Sequence, residues 1–461
     1  MRKQITISCL LFLMIHTTVM AQWQNIGSGI FNPSRNVFSI SAVNENVVWA
    51  VATHTSFQNS FDYTLTTDGG VTWNAGLLPD TIGDYYPGHI FALNDQTAWV
   101  IMINLPQQDR IRIFKTSNGG NAWQEQTGEF NTSGIAFAAL HFFNANEGIG
   151  FGSPGTGDPA VDSLRIYRTS DGGNSWLRIS AASLPLPLAN EGVWVNGDNR
   201  YESKGDTLWF VTRASRVFRT TDRGLTWLAF SAGISGDINY PGLASIAFQN
   251  SIQGIVTTHL PSQAARTSDG GETWVQIPIP SSPPAADIEY IPGTNASYLI
   301  HEDWFDGSLT TTNYLKTHNG GDTWDTLSFS PSIKVIKFLS PTVGFGGSQI
   351  FSSDSGGIYK WIGNFSDSIF SSINIAPQEN LAVNVYPNPA KNNVVIKLSD
   401  NISLQNNLSL NLFNSFGQSV KRISIYSKLT NIDLNELSSG LYFYHLQDKQ
   451  NIFHVGKVIK E

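Results

Sequence analysis

Apolar residues along this chain come in short alternating runs, closed off by clusters of Asn, Asp, Ser and Gly. One stretch reads IFALNDQTAWVIMI (90–103) and then IRIFKT (111–116); another reads FAALHFFNANEGIGFGS (137–153) and then LRIYRT (164–169). A period of two interrupted by turn residues predicts strands. No long stretch carries a convincing 3.6-residue apolar period, so the expected class is all-β. The tail keeps the alternation, in VNVYP (383–387) and LSLNLF (408–413), and predicts a small Ig-like β-sandwich over 381–461. Two stretches break the pattern. Arg2 and Lys3 precede an apolar run at 5–15 that ends in Val19-Met20-Ala21, which reads as a signal peptide over 1–21, too short to span a bilayer. A polar, Ser-rich stretch at 366–380 reads as a linker.

Between signal and linker one phrase recurs. It appears as TTDGGVTW (66–73), TSNGGNAW (116–123), TSDGGNSW (169–176), TTDRGLTW (220–227), TSDGGETW (267–274) and THNGGDTW (317–324). The spacing, roughly 50 residues, indicates a propeller or solenoid. The acidic or amide residues Asp68, Asn118, Asp171, Asp222, Asp269 and Asn319 are placed to bond the backbone N–H groups of their own turns. The following Gly supplies a positive φ. Trp73, Trp123, Trp176, Trp227, Trp274 and Trp324 open the next strand, each indole lying over its hairpin with the N–H satisfied at the edge. Two strand-like runs precede each phrase and one comes after it, which gives four strands per repeat.

These phrases resemble the Asp box, or BNR repeat, of sialidases, sortilin-type receptors, xyloglucanase-type glycosidases and photosystem-assembly propellers. The resemblance implies a β-propeller over 22–365, with the boxes structural and away from the ligand face. A seventh unit is irregular: VIKFLSPTVGFGG (335–347) and GGIYKWIG (356–363) give three strands and no box. Trp23-Gln24-Asn25-Ile26 matches the strand after each box, so the mature N-terminus is expected to supply the missing strand and close a seven-bladed ring. The alternative takes Asp354 as a distorted seventh box and leaves Trp23 in an eighth fragment.

In the tail, YPNP (386–389), Phe416-Gly417, IDL (432–434), SGLYF (439–443) and a terminal KVIKE occur in order. That order resembles the C-terminal sorting domain of the type IX secretion system of Bacteroidetes-type bacteria. The resemblance implies passage through the periplasm to the cell surface or medium, with the secretion machinery as partner through 381–461.

Composition narrows the function. The one cysteine, Cys9, lies in the signal, so the mature chain is expected to hold itself together without disulfides. The net charge is −8; loss of Arg2 and Lys3 makes it −10. The tail has 8 basic and 5 acidic residues, which leaves the body near −13. A body that acidic repels phosphate backbones, so nucleic acid is not an expected partner. His54, His89, His141, His259, His301 and His318 are scattered without metal-ligand spacing, so no metal and no cofactor is expected.

In a propeller, groups converge around the central tunnel on the face opposite the boxes. The loops assigned to that face carry Asp84, Tyr85, Tyr86, His89, Glu191, Trp194, Tyr201, Asp237, Tyr240, Asp287, Glu289 and Tyr290. Blade one adds Phe57, Phe61 and Tyr63, and blade six adds HEDWFDG (301–307), with His301, Glu302, Asp303 and Trp304. Aromatic platforms beside carboxylates suit neutral sugars, whereas packing between blades is the bland account of the same aromatics. The ligand-binding set expected is His301, Glu302, Asp303, Trp304, Tyr85, Tyr86, Trp194 and Tyr240. A glycosidase needs two carboxylates about 5 to 10 Å apart. Asp84, Asp237, Asp287, Glu302 and Asp303 are the candidates, with no catalytic pair assignable. Arg213, Arg216 and Arg219 do not make a sialidase cluster; their alternation reads as a solvated strand face. The expected role is a secreted or cell-surface, non-enzymatic module that binds glycan or protein. The alternative is a glycoside hydrolase acting on extracellular polysaccharide.

Overall fold

The alternating runs form strands whose burial depends on their place in the sheet. The computed structural model describes residues 22–27, 29, 35–54, 62–79, 85–104, 110–128, 130, 136–153, 164–188, 191–193, 200–236, 242–259, 262–280, 287–301, 312–329, 333–350, 357–365, 383–399, 404, 408–414, 419–447 and 452–461. Second strands such as Ala98–Asn104 and Gly148–Ser153 are buried along their whole length, because both faces pack on neighbouring sheets. Fourth strands such as Asn74–Leu77 are short and mostly exposed. The chain divides into two units, Met1–Asp367 and Ser368–Glu461.

Among the described residues, the first unit holds seven antiparallel sheets. The first six open with Arg35–Ala42, Tyr85–Ala92, Ala136–Phe142, Tyr201–Lys204, Ser245–Phe248 and Asp287–Tyr290, and each runs in chain order through four strands. Neighbouring sheets meet through these opening strands, round to Val335–Ser340, which packs back against Arg35–Ala42. At the junction of third and fourth sheets the Tyr201 hydroxyl donates to the Leu140 carbonyl at 3.2 Å. The result is an all-β propeller.

The seventh sheet joins the two ends of the ring. Trp23–Gly27 pairs antiparallel with Ile358–Trp361, Trp23 opposite Trp361. Trp23 is buried and packs edge-on against Trp361 at 5.2 Å. The Trp73 indole donates to the Ile26 carbonyl at 2.9 Å, and a Cβ on Gly70 (φ +93°) would lie 2.3 Å from Ile26 Cδ1, so the closing strand and the first sheet's turn are fitted together. Asp354, the alternative seventh turn, lies outside the described residues. The pattern of alternation did not anticipate Gln349–Ile350, which leaves the seventh sheet's sequence to pair with Arg35–Asn36 as a fifth strand of the first sheet.

Aromatic rings fill the spaces between sheets. Trp99 stacks on Phe142 at 3.7 Å, Phe151 on Phe210 at 4.6 Å, and Trp209 on Phe248 at 3.9 Å. Phe142 also covers Gly148 across the first hairpin of its sheet, where a Cβ would meet the ring at 2.6 Å.

A second junction device uses charge. The residue just before the first Thr of the repeated phrase, or its counterpart Lys360 on the third strand of the seventh sheet, reaches the next sheet's turn. Lys115 Nζ donates to the Gly172 carbonyl at 2.9 Å, Arg219 to Gly270 at 3.1 Å, Arg266 to Gly320 at 3.1 Å, and Lys360 to Gly69 at 3.2 Å. Arg168 reaches the carbonyl of Arg223, which stands where the other turns carry glycine, at 3.3 Å. At the sixth-to-seventh junction, Lys316 instead sits over the Phe365 ring at 4.7 Å. These cations are straps between consecutive sheets.

The second unit is a two-sheet sandwich. Val383–Tyr386, Asn393–Leu398 and Leu429–Asp433 form one sheet; Ser419–Ser424, Ser409–Phe413, Gly440–Gln447 and Ile452–Lys460 form the other. Val394, Ile396, Leu410, Leu412, Ile432 and Leu446 fill the space between. Asn388 of the YPNP turn accepts from Ile459 N and donates to the Lys457 carbonyl, both at 2.8 Å, which fixes that turn to the last strand.

Trp23→Ala is expected to cost about 3–5 kcal/mol, because it empties the contact with Trp361 and Phe338. Exposed Gln24→Ala, one residue along the same strand, is expected to stay within about 0.5 kcal/mol. Urea unfolding of the two variants measures this; equal shifts would remove the closing strand from the account.

Candidate functional site

Each repeated turn is built around its first Thr. Thr66 is buried; its hydroxyl donates to Asp68 Oδ1 at 2.8 Å and accepts from Gly70 N at 2.8 Å. Asp68 then accepts from Thr72 N at 2.9 Å and from the Thr72 hydroxyl at 2.6 Å. Asp171, Asp222 and Asp269 repeat the arrangement, and Asn118 and Asn319 keep the bond to the backbone N–H four residues on. The Thr72 hydroxyl and backbone donors hold the Asp68 carboxyl at about 2, and those of Thr273 do the same for Asp269. The turns are thus internally satisfied. Of their indoles, Trp227 and Trp274 donate to their own turns, to the Gly224 and Gly271 carbonyls, whereas Trp73 reaches the neighbouring sheet. Trp123 packs edge-on against Tyr63 at 5.3 Å, Trp176 is buried against Phe130 and Phe142, and Trp324 is half-buried beside the fifth and sixth sheets.

The opening strands point a second set of side chains into the centre. A cavity of about 300 Å³ is lined by His89, His141, Tyr201, Glu202, Ser203 and Lys337, among others. Lys337 pairs with Glu289 at 3.1 Å, and Glu289 also accepts from Phe338 N at 3.2 Å. Lys204 lies 3.4 Å from Glu202. Burial raises the Glu289 carboxyl above its ordinary range, although Lys337 pulls the other way. Burial also pushes Glu202 up, but Lys204 and Lys337 outweigh it and hold that carboxyl below the usual range. Burial opposes the Lys337 charge, yet Glu289 and Glu202 prevail and its ammonium sits above the ordinary lysine range. Burial and a neighbouring imidazole push His89 down to about 3, and burial brings His141 to about 4, so both rings are neutral near pH 7. The cavity therefore offers hydroxyl and imidazole hydrogen bonds beside a compensated charge cluster.

Elsewhere in the propeller, carboxylates are engaged by cations. Arg35 binds Asp62 at 2.6 Å, and Arg112 binds Glu125 at 2.7 Å. Arg216 Nε donates to Glu191 at 2.8 Å, and Arg200 lies 3.7 Å from Asp287. Arg219 binds Glu272 at 2.8 Å. Arg216 and Arg219 are only 13% and 12% exposed, so they are covered ion-pair partners and not the solvated strand face their alternation suggested.

Of the expected ligand residues, His301, Tyr85 and Tyr86 are among those described. Tyr86 is 1% exposed and packs edge-on against Phe38, and His301 is 0% exposed beside Tyr314. Neither presents a surface to a ligand, because opening and second strands are enclosed by the adjacent sheets. Tyr85 is half-buried under the Arg112 guanidinium at 5.6 Å. Tyr63 is used internally, donating to the Gly120 carbonyl at 2.8 Å. Of the hydrolase candidates, Asp287 is buried beside Arg200. Glu302, Asp303, Trp304, Trp194, Tyr240, Asp84, Asp237, Phe57 and Phe61 lie outside the described residues. Glu202 and Lys337 escaped the sequence reading; Lys337 was signalled by a charge inside an otherwise apolar opening strand, whereas Glu202 lies in the polar strand Tyr201–Lys204 and carried no such signal. Among the described residues, no group of three or more His, Cys, Asp and Glu is placed to hold a metal.

Known proteins resemble the two units separately. Residues 384–461 match the family described as Secretion system C-terminal sorting domain. A xyloglucanase from Paenibacillus sp. is 24% identical over 298 residues, 61% of this chain, which spans only about a quarter of that relative's length (25%). Similar solved structures include YCF48 bound to D1 peptide, with 18% identity, a TM-score of 0.49, and coverage of 74% of this chain and 96% of that one. An ancestral GH74 enzyme gives 13% identity, a TM-score of 0.46, and coverage of 95% and 63%. Fold and tail together define a class: a β-propeller protein with a secretion sorting domain. The chain is exported by the type IX system to the cell surface or medium. Among the described residues no helix is long and apolar enough to cross a membrane.

Lys337→Met leaves Glu289 buried without its cation. The expected cost at pH 7 is about 2 kcal/mol, less than the 3–5 typical of a fully buried pair because Lys337 is 37% exposed. A carboxyl whose folded pKa is raised destabilises increasingly as pH rises through that value. The gap between variant and wild type should therefore narrow as pH falls from 7 towards 4, as read from urea midpoints across that range.

Proposed function

We propose that the propeller is a non-enzymatic binding module of the cell surface or medium, seven-bladed with six Asp boxes, whose ligand face is the one opposite the boxes. The observation that carries this reading is the pairing of carboxylates within the propeller. Asp62, Glu125, Glu191, Asp287, Glu202 and Glu289 each have a cation within 4 Å, which leaves no free acid–base pair among these six. Compensated charge beside hydroxyls, neutral imidazoles and aromatic rings suits hydrogen bonding to a neutral glycan or to a polypeptide. Of the segment at 301–307, Trp304 remains the proposed contact on that face.

A second reading, hydrolysis of extracellular polysaccharide, is favoured by the similarity to a xyloglucanase. It would use acids such as Glu302 and Asp303. The two readings separate in one experiment. Purified mature protein is applied to a glycan array and to a polysaccharide panel that includes xyloglucan. The binding reading expects retention on defined glycans or capture of one protein partner, loss of at least about ten-fold in affinity in Trp304→Ala, and no reducing sugar released. Release that disappears in Glu302→Gln or Asp303→Asn would establish the hydrolase instead.

A further inference from the structure

One junction has no cation at the strap position. At the first-to-second junction the position before the first Thr of the phrase is Leu65, not Lys or Arg. Leu65 is buried with Trp49, Tyr63 and Trp123, and its side chain has no donor to offer the next turn. The carbonyl it would have capped belongs to Gly119, which corresponds to Gly172, Gly270, Gly320 and Gly69 at the strapped junctions. Among the described residues no side chain donates to it.

A cavity of about 290 Å³ opens at this place. Leu65, Thr72, Trp73, Asp95, Asn118 and Gly119 are among its lining residues. No Lys or Arg lines it, and Asp95 is its one carboxylate among the described residues. The cavity therefore presents oxygen acceptors, one negative charge and an apolar wall. Those are the groups that surround the aliphatic stem and charged head of a strap elsewhere in the ring.

We infer that this cavity binds a basic side chain, lysine or arginine, presented by a polypeptide partner. The incoming cation donates to the Gly119 carbonyl and pairs with Asp95, while its stem lies along Leu65 and Trp73. The partner thereby supplies in trans what Lys115, Arg219, Arg266 and Lys360 supply within the chain. This surface is on the turn face of the propeller, so it does not depend on the ligand proposed for the opposite face.

The test uses the purified mature chain and a labelled, acetylated and amidated pentapeptide with one central lysine among glycines. The control peptide carries norleucine in place of the lysine, and binding is followed by fluorescence anisotropy. The lysine peptide should bind at least about ten-fold more tightly than the norleucine peptide, the scale of one charge-assisted hydrogen bond. Asp95→Asn should weaken it about ten-fold with an unchanged melting temperature, since Asp95 is partly exposed. Leu65→Lys, which restores the strap within the chain, should abolish binding. Should that variant fail to fold, Asp95→Asn still decides. Equal affinity for both peptides, no binding of the lysine peptide, or indifference to Asp95→Asn overturns the proposal. So does competition by n-butylammonium as strong as that of unlabelled lysine peptide, which would make this a site for free amines.

Discussion

The propeller depends on one contact repeated around the ring: a cation from the third strand of one sheet capping a turn carbonyl of the next. Hydrogen bonds to charged groups contribute about 1.5–3 kcal/mol when sheltered, and less where the cation is exposed. Their position matters more than their sum. Each strap adds a charged hydrogen bond to the packing and the neutral hydrogen bonds between sheets, and it lands on a turn already fixed by a buried Thr and an Asp or Asn. The turn must be rigid for its carbonyl to be a fixed target. The Asp and Asn residues therefore act as internal supports of the fold.

Ring closure uses the same contact with different covalent continuity. The strap from Lys360 to Gly69 and the pairing of Trp23–Gly27 with Ile358–Trp361 tie the two ends of the unit together. With one cysteine, Cys9, the chain can form no internal disulfide, and non-covalent pairing performs the clamp that a disulfide would supply elsewhere. The sorting domain has its own core around Val394, Leu412 and Leu446, as expected of a separately packed module.

The legible and illegible parts of the sequence divide along a physical line. Local regularities were readable: the turn phrase, the strand alternation, and the likeness of Trp23 to the residues just after each box, which foretold the closing strand. Features that arise between sheets were not. Glu202 and Lys337 sit 135 residues apart by number, and only the ring brings their strands to one tunnel. Tyr86 and His301 read as loop aromatics, but both lie within strands, where adjacent sheets enclose them. Gln349–Ile350 is too short to announce itself as a strand and gains its partner from the next sheet. The strap was visible as a Lys or Arg before most phrases, yet its target is about 50 residues away and no local pattern marks it.

The most direct test of the strap as the organising contact is hydrogen exchange, read by mass spectrometry, in Lys360→Met against wild type. That substitution keeps the apolar stem and removes the charge. The account predicts faster exchange in Trp23–Gly27 and in the first sheet's turn around Gly69, with the third to fifth sheets unchanged. Identical protection of the closing strand in both proteins would contradict it.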